Sequence, residues 1–214
     1  MFYLATKLLH LAVFGLWLGG EAALWRTTSG LKGPPGGADP ARLATLDALL
    51  ALTAIPLIGL AVMPAVGYQL GVATGDIATS MKFVTITWVA FGGWALAAGF
   101  AALRARNGRP AGWLEKVVFG IGILMVPAFS YDCWDAIFAE SHIKSGWVAL
   151  KVQVYALLIV TGLWRFRSLA RLRGTLATGA DPSPVATQVR ALSLAGVALL
   201  LVAATLAVFR PQVM

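Results

Sequence analysis

Six apolar runs, each close to twenty residues or longer, constrain this chain more than any other feature. They fall at 3–25, 46–72, 82–103, 114–131, 147–164 and 191–209. Each approaches the length a helix needs to cross about 30 Å of hydrocarbon at 1.5 Å per residue. In hydrocarbon a backbone must satisfy its own polar groups, and runs this long do so as helices. The expected fold class is all-α: a polytopic membrane helical bundle of about six transmembrane helices, making one transmembrane domain over residues 1–214. Composition agrees, with 59% hydrophobic residues, 12% charged residues and a mean hydropathy of +0.80, which excludes an ordinary soluble domain. The first run is expected to stay as a span and not to be cleaved as a signal peptide. No basic region precedes it, and Lys7, His10 and Glu21 interrupt it.

The net charge of +8 would suggest nucleic acid in a soluble protein, but its placement points to a bilayer and gives no reason to expect a nucleic-acid partner. Loops 26–42, 103–113 and 165–190 carry eleven basic residues: Arg26, Lys32, Arg42, Arg104, Arg106, Arg109, Arg165, Arg167, Arg171, Arg173 and Arg190. Loops 72–82 and 132–145 carry Lys82 and Lys144, together with Asp76, Asp132, Asp135 and Glu140. The positive-inside rule then makes the first set cytoplasmic and puts both termini on the outer face of a bacterial-type plasma membrane. Arg210 is a mild exception. A single cysteine, Cys133, excludes an intrachain disulfide and CxxC chemistry.

The first span carries ionisable groups that hydrocarbon alone would not tolerate. Tyr3, Lys7, His10, Phe14, Trp17 and Glu21 follow a 3-4-3-4-3 spacing, so on a helix they share one face. That stripe should face protein or a cavity, since an intramembrane charge facing lipid costs several kcal/mol. Two readings are open for His10, a functional ligand or a hydrogen bond to a neighbouring helix. At 1.5 Å per residue it sits roughly 10 Å below the outer edge. Gly15 and Gly19 form a small-xxx-small pair suited to close helix approach.

An internal repeat organises the middle of the chain. Gly59-Leu-Ala-Val-Met-Pro64-Ala65-Val-Gly-Tyr68 aligns without gaps to Gly122-Ile-Leu-Met-Val-Pro127-Ala128-Phe-Ser-Tyr131. After a longer second loop, Lys82 with Gly93 matches Lys151 with Gly162. Helices 2–3 and 4–5 are therefore expected to be two copies of one hairpin. Their proline-bearing outer halves, Pro64 to Tyr68 and Pro127 to Tyr131, are expected to flank a shared outer cavity. Lys7, Lys82 and Lys151 lie at one depth near His10 and could hold anionic groups such as porphyrin propionates or lipid phosphates; the alternative is that each snorkels to the interface. Loop 132–145 contains the second histidine, His142, readable as a solvated residue or as a second ligand or metal-entry site. The last span, free of ionisable residues, reads as peripheral packing or a surface for a partner subunit. No nucleophile triad, phosphate-binding glycine loop or paired catalytic carboxylates appear, so hydrolase and nucleotide-driven readings have no support.

The run Lys7-x-x-His10-x6-Trp17-x-Gly19-Gly20 resembles the first helix of a loose group of small membrane proteins. That group includes the HemJ-type protoporphyrinogen oxidases and the CopD-type copper-resistance domains. Gly146-Trp147-Val-Ala-Leu-Lys151-x-x-x-Tyr155 resembles their W-x3-K helix start, and Pro64 with Gly67 fits as well. The HemJ-type resemblance implies b-type haem on His10 and electron transfer or a haem-linked oxidation, leaving open whether the chain is an enzyme. Lys7, Lys82 and Lys151 would then lie near the propionates, with Phe14 and Trp17 lining the pocket. With no second buried histidine, the iron would be five-coordinate or take Met63 or Met125 as its other ligand. The CopD-type resemblance implies copper handled by His10, His142, Met63 and Met125, with Cys133 at hand. A third reading is a non-catalytic accessory subunit of a larger membrane complex. A redox partner or further subunits would meet the outer face or the membrane-embedded surface.

Overall fold

The computed structural model describes residues 2–31, 40–106, 112–139 and 142–209. Among them are α1 (Phe2–Thr27), a 3-10 turn (Thr28–Leu31), α2 (Pro40–Thr74), α3 (Met81–Arg106), α4 (Trp113–Phe138), α5 (Gly146–Ala177) and α6 (Ser183–Phe209). All six α-helices are long and apolar enough to cross a membrane. The chain is thus an all-helical, multi-pass integral membrane protein in contact with the lipid bilayer. Lys32, Arg109, Glu140 and Arg210 lie outside the described residues, as does most of loop 29–41.

Several helices run past the apolar segments that announced them. Expected to end near residue 164, α5 continues to Ala177, and α6 begins at Ser183, so the segment read as loop 165–190 is mostly helix. Hydropathy falls where a helix leaves hydrocarbon, whereas the helix itself continues as long as one face stays packed. Here Leu163, Phe166, Leu169, Leu172 and Leu176 supply that face, all buried. Leu169, Leu172 and Leu176 pack with Leu46, Leu49 and Leu50 of the similarly extended α2, and Arg173 pairs with Asp47 at 3.2 Å. Likewise α4 runs to Phe138, which puts Asp132, Cys133 and Asp135 on its last turns and not in a loop.

The helices form a closed circuit in which each packs on its neighbours in sequence, α6 returns to α1, and α2 and α5 meet across the middle. Consequently α1, α2, α5 and α6 enclose one interior, and α2, α3, α4 and α5 enclose another. Leucines on the outward face of α1, such as Leu4, Leu8, Leu11 and Leu16, are exposed as lipid-facing residues should be.

The repeat glycines occupy matching structural roles. A Cβ on Gly59 would lie 3.1 Å from Trp17, and one on Gly122 would lie 2.4 Å from Leu163, so both repeat glycines mark close helix approaches. By contrast, Gly15 and Gly19 have no neighbour within 4 Å of an added Cβ. The approach on α1 is made instead by Gly20, where a Cβ would lie 3.0 Å from Pro56. The connections closing the two hairpins pair with each other: Ile77 and Ile143 form an antiparallel bridge, with Ala78 N–H donating to His142 O and Lys144 N–H to Asp76 O, each at 2.7–2.8 Å. Asp76 also accepts hydrogen bonds from Thr74 and Ser145. Both isoleucines are buried, so this end of the bundle is tied together by backbone and side chain alike.

Candidate functional site

The polar stripe of α1 meets a polar stripe on α5. Both helices start at the paired-loop end and run in the same direction, so their residues meet level by level. Near that end, the charge of Lys151 bears on His10. One level deeper, Trp17 and Tyr155 meet edge to face with ring centroids 6.2 Å apart and planes at 81°. Deeper still, Arg165 donates through Nη1 to Glu21, and Trp17 Nε1 donates to the same carboxylate at 3.2 Å. Residues 151, 155 and 165 share one face of α5, as 10, 17 and 21 share one face of α1. These long side chains fill the interior shared by α1, α2, α5 and α6, the place where helical bundles build cofactor sites.

Unused hydrogen-bonding capacity runs along this interior. His10 Nδ1, Tyr155 Oη, Arg165 Nε and Ser193 Oγ are all enclosed without a hydrogen-bond partner among the described residues, and so is Gln153 Oε1. Each such group costs about 1–3 kcal/mol relative to a satisfied one. Above the ion pair, α6 comes close because it carries Gly196, where a Cβ would lie 2.9 Å from Glu21 Cδ. Arg165, counted among the basic residues of the cytoplasmic loop 165–190, is instead 1% exposed and pairs with a carboxylate that is 2% exposed. Its signal was available: a glutamate on an intramembrane stripe needs a cation at the same depth.

The other expected site residues are distributed as follows. Phe14 and Trp17 pack in the main core, and Lys151 is half-buried with its ammonium 4.9 Å from the centre of the Trp147 ring. Lys7 is exposed on α1 and Lys82 is exposed on α3, which packs on α2 and α4 and not beside α1. His10 is thus joined by one of the three lysines through its charge. Met63 is buried in the main core, and Met125 lines a separate cavity. His142 shares a 2.7 Å hydrogen bond between Nε2 and the hydroxyl of Tyr68, whose ring stacks on the imidazole at 6.1 Å. Among the described residues no three His, Cys, Asp or Glu side chains gather as a metal-holding group.

A second feature lies between the repeat copies. A cavity of about 230 Å³ is bounded by Tyr68 from α2, Phe83, Thr87 and Phe91 from α3, and Met125, Phe129 and Asp132 from α4. It is the shared cavity expected from the matched Pro-to-Tyr segments. The repeat tyrosines differ within it: Tyr68 is buried and lines the cavity, whereas Tyr131 is 70% exposed. A polar ladder connects the same end to α1, with Trp88 Nε1 donating to Gln69 at 2.6 Å and Gln69 donating to Thr6 at 3.1 Å.

Fold and interior together define the class: a multi-pass helical membrane protein with a polar and aromatic seam inside a four-helix group. Compared with family models, with curated proteins and with solved structures, the chain matches none.

Proposed function

We propose that this chain is a membrane-embedded b-type haem protein in which His10 is an axial ligand. One observation carries the reading: the His10 imidazole has an enclosed ring nitrogen, Nδ1, with no hydrogen-bond partner among the described residues. The residues present fit the group's needs. An unengaged imidazole supplies an axial donor, Lys151 supplies a cation for a propionate, and Phe14 and Trp17 supply apolar walls. Lys7 and Lys82, being exposed, suit interface roles better than propionate pairing. Met63, which shares a core cluster with Trp17, is the methionine favoured as a second ligand.

Bound there, the haem would supply one-electron chemistry, serving electron transfer or a haem-linked oxidation. The protein's own contribution is to hold the imidazole, exclude water with the aromatic layer and fix the depth of the site. The basic loops at the far end support an outer position for the paired connections and both termini in a bacterial-type plasma membrane, and a redox partner would then approach from outside.

The test is a reduced-minus-oxidised absorption spectrum with a pyridine haemochrome assay on detergent-purified wild type, His10→Ala and Met63→Leu. A b-type spectrum that His10→Ala abolishes is the expected result. Protein that stays colourless after haem supplementation overturns the reading. Copper found by elemental analysis would then favour the copper-handling alternative, and its absence a non-catalytic accessory subunit.

A further inference from the structure

The cavity between the repeat copies has a composition that selects for charge type. Four aromatic rings, those of Tyr68, Phe83, Phe91 and Phe129, form its walls, and Asp132 is the one ionisable side chain among its acidic and basic possibilities. No basic residue lines it. Its other polar groups are engaged elsewhere: the Tyr68 hydroxyl with His142 at 2.7 Å, and the Thr87 hydroxyl with Val84 O at 2.6 Å. Asp132 makes no hydrogen bond or ion pair among the described residues. Its nearest titratable neighbours are His142 and Asp135, the first of which is held by Tyr68.

The cavity is also open in one direction. Ala90 of α3 and Ala128 of α4, both exposed, form its rims, and both helices belong to membrane-crossing segments. Its mouth therefore faces the side of the bundle, at the level of the acyl chains nearest the paired loops. At about 230 Å³ it is smaller than the roughly 300–1,000 Å³ of a site enclosing a whole drug-sized ligand. It suits a compact head group whose apolar remainder stays in lipid.

We infer that this groove binds lipophilic organic cations, taking an ammonium head between the aromatic rings and Asp132 while the apolar body lies in the bilayer. Aromatic faces attract a cation through their negative quadrupole, most strongly where water is excluded. The carboxylate supplies the counter-charge, and the α3–α4 gap admits the ligand from lipid without passage through water. The assignment is independent of the haem reading, which concerns the opposite side of α2 and α5. Binding alone is inferred.

The test uses full-length protein in nanodiscs and two probes of the same shape: benzyltrimethylammonium and its neutral carbon isostere, neopentylbenzene. Binding is read by equilibrium dialysis and by ligand-observed saturation transfer. The expected result is saturable binding of the cation and at least about tenfold weaker binding of the isostere. Asp132→Asn should weaken the cation by about tenfold or more, and Phe83→Leu, which keeps the apolar volume, by about threefold. Equal binding of both probes, or no saturable binding of the cation, overturns the assignment whether or not the variants fold. So does an Asp132→Asn protein that folds and binds the cation as wild type does.

Discussion

Removing the cation from the intramembrane pair should be among the most damaging single changes in this protein. Arg165 and Glu21 are 1% and 2% exposed, so neither can be rehydrated without opening the bundle. In Arg165→Met the thioether fills the volume of the arginine stem, but Glu21 is left buried with Trp17 Nε1 as its remaining donor. Breaking a buried pair in this way costs about 3–5 kcal/mol, or two to three and a half orders of magnitude in the folding equilibrium. Glu21→Gln should cost a comparable amount, because it keeps an oxygen for Trp17 and strands the guanidinium. The double variant Glu21→Gln, Arg165→Met should recover most of the loss, since it buries no net charge. Unfolding by SDS titration in mixed micelles, followed by far-UV circular dichroism, measures all three. Two results would refute the reasoning: an Arg165→Met cost below about 1 kcal/mol, or a double variant whose loss equals the sum of the singles.

Other consequences can be checked separately. Ile77 and Ile143 form a non-hydrogen-bonded antiparallel pair, which brings Cα atoms to about 4.5 Å, within the range a disulfide spans. Ile77→Cys with Ile143→Cys in a Cys133→Ser background should therefore cross-link under mild oxidation, seen as a reductant-sensitive shift on a denaturing gel; failure would mean that the two connections do not pair. Tyr68→Phe removes the partner of His142 and should lower thermal stability by about 0.5–1.5 kcal/mol, measurable by a thermal-shift series. Asp132→Asn, altering a carboxylate with no partner among the described residues, should leave the unfolding midpoint within about 0.5 kcal/mol of wild type. At the start of α6, Asp181 accepts the Ser183 N–H at 2.9 Å, and this hydrogen bond holds its carboxyl below the ordinary carboxylate value. Because the folded form favours the ionised group, its stabilisation is present above the unfolded value and is lost as pH falls through the lowered one. Hydrogen exchange in the first turn of α6 should quicken in acid in wild type but not in Asp181→Asn.

The positions of the spans were legible because crossing hydrocarbon demands length and apolarity, both local properties. The starts of α3, α4 and α5 at 81, 113 and 146 each lie within one residue of the expected 82, 114 and 147. The far ends of α2 and α5 were not read, because outside hydrocarbon a helix survives on amphipathic packing. The leucine spacing from Leu163 to Leu176 carried that information beneath the arginines that seemed to end the helix. His10 and Trp17 were placed on one stripe by period and Lys151 was set near His10 by depth; in the structure Trp17 meets α5 through Tyr155, and the charge of Lys151 bears on His10. Which lysines would join them depended on which helices are neighbours, and no local pattern encodes that. Tyr155 and Arg165 were hidden for the same reason, since their partners are on α1, more than a hundred residues away. The repeat was legible as identity and foretold the cavity, yet not its asymmetry, in which Tyr68 turns inward to His142 and Tyr131 faces outward.

Two carboxylates inside membrane-crossing helices show how the same group serves different ends in one fold. Glu21 is enclosed on every side: an arginine, an indole N–H and a glycine face of α6 meet it, so its charge is neutralised and its position fixed. A group so completely engaged has nothing left with which to bind a ligand, and its role is to register α1 against α5 and α6. Asp132 is half-buried beside rings that offer no hydrogen bond, at the edge of a cavity open between α3 and α4. Low polarity strengthens any electrostatic attraction there, and no basic residue is among the described residues that line the cavity. The seam of α1 and α5 follows the same division along its length. At its deep end Arg165 and Glu21 pair with each other, whereas the end nearest the paired loops keeps an imidazole nitrogen without a partner among the described residues. In this bundle, then, a carboxylate met by a protein cation becomes a structural tie, and one that no described cation meets is where a ligand's charge is to be sought.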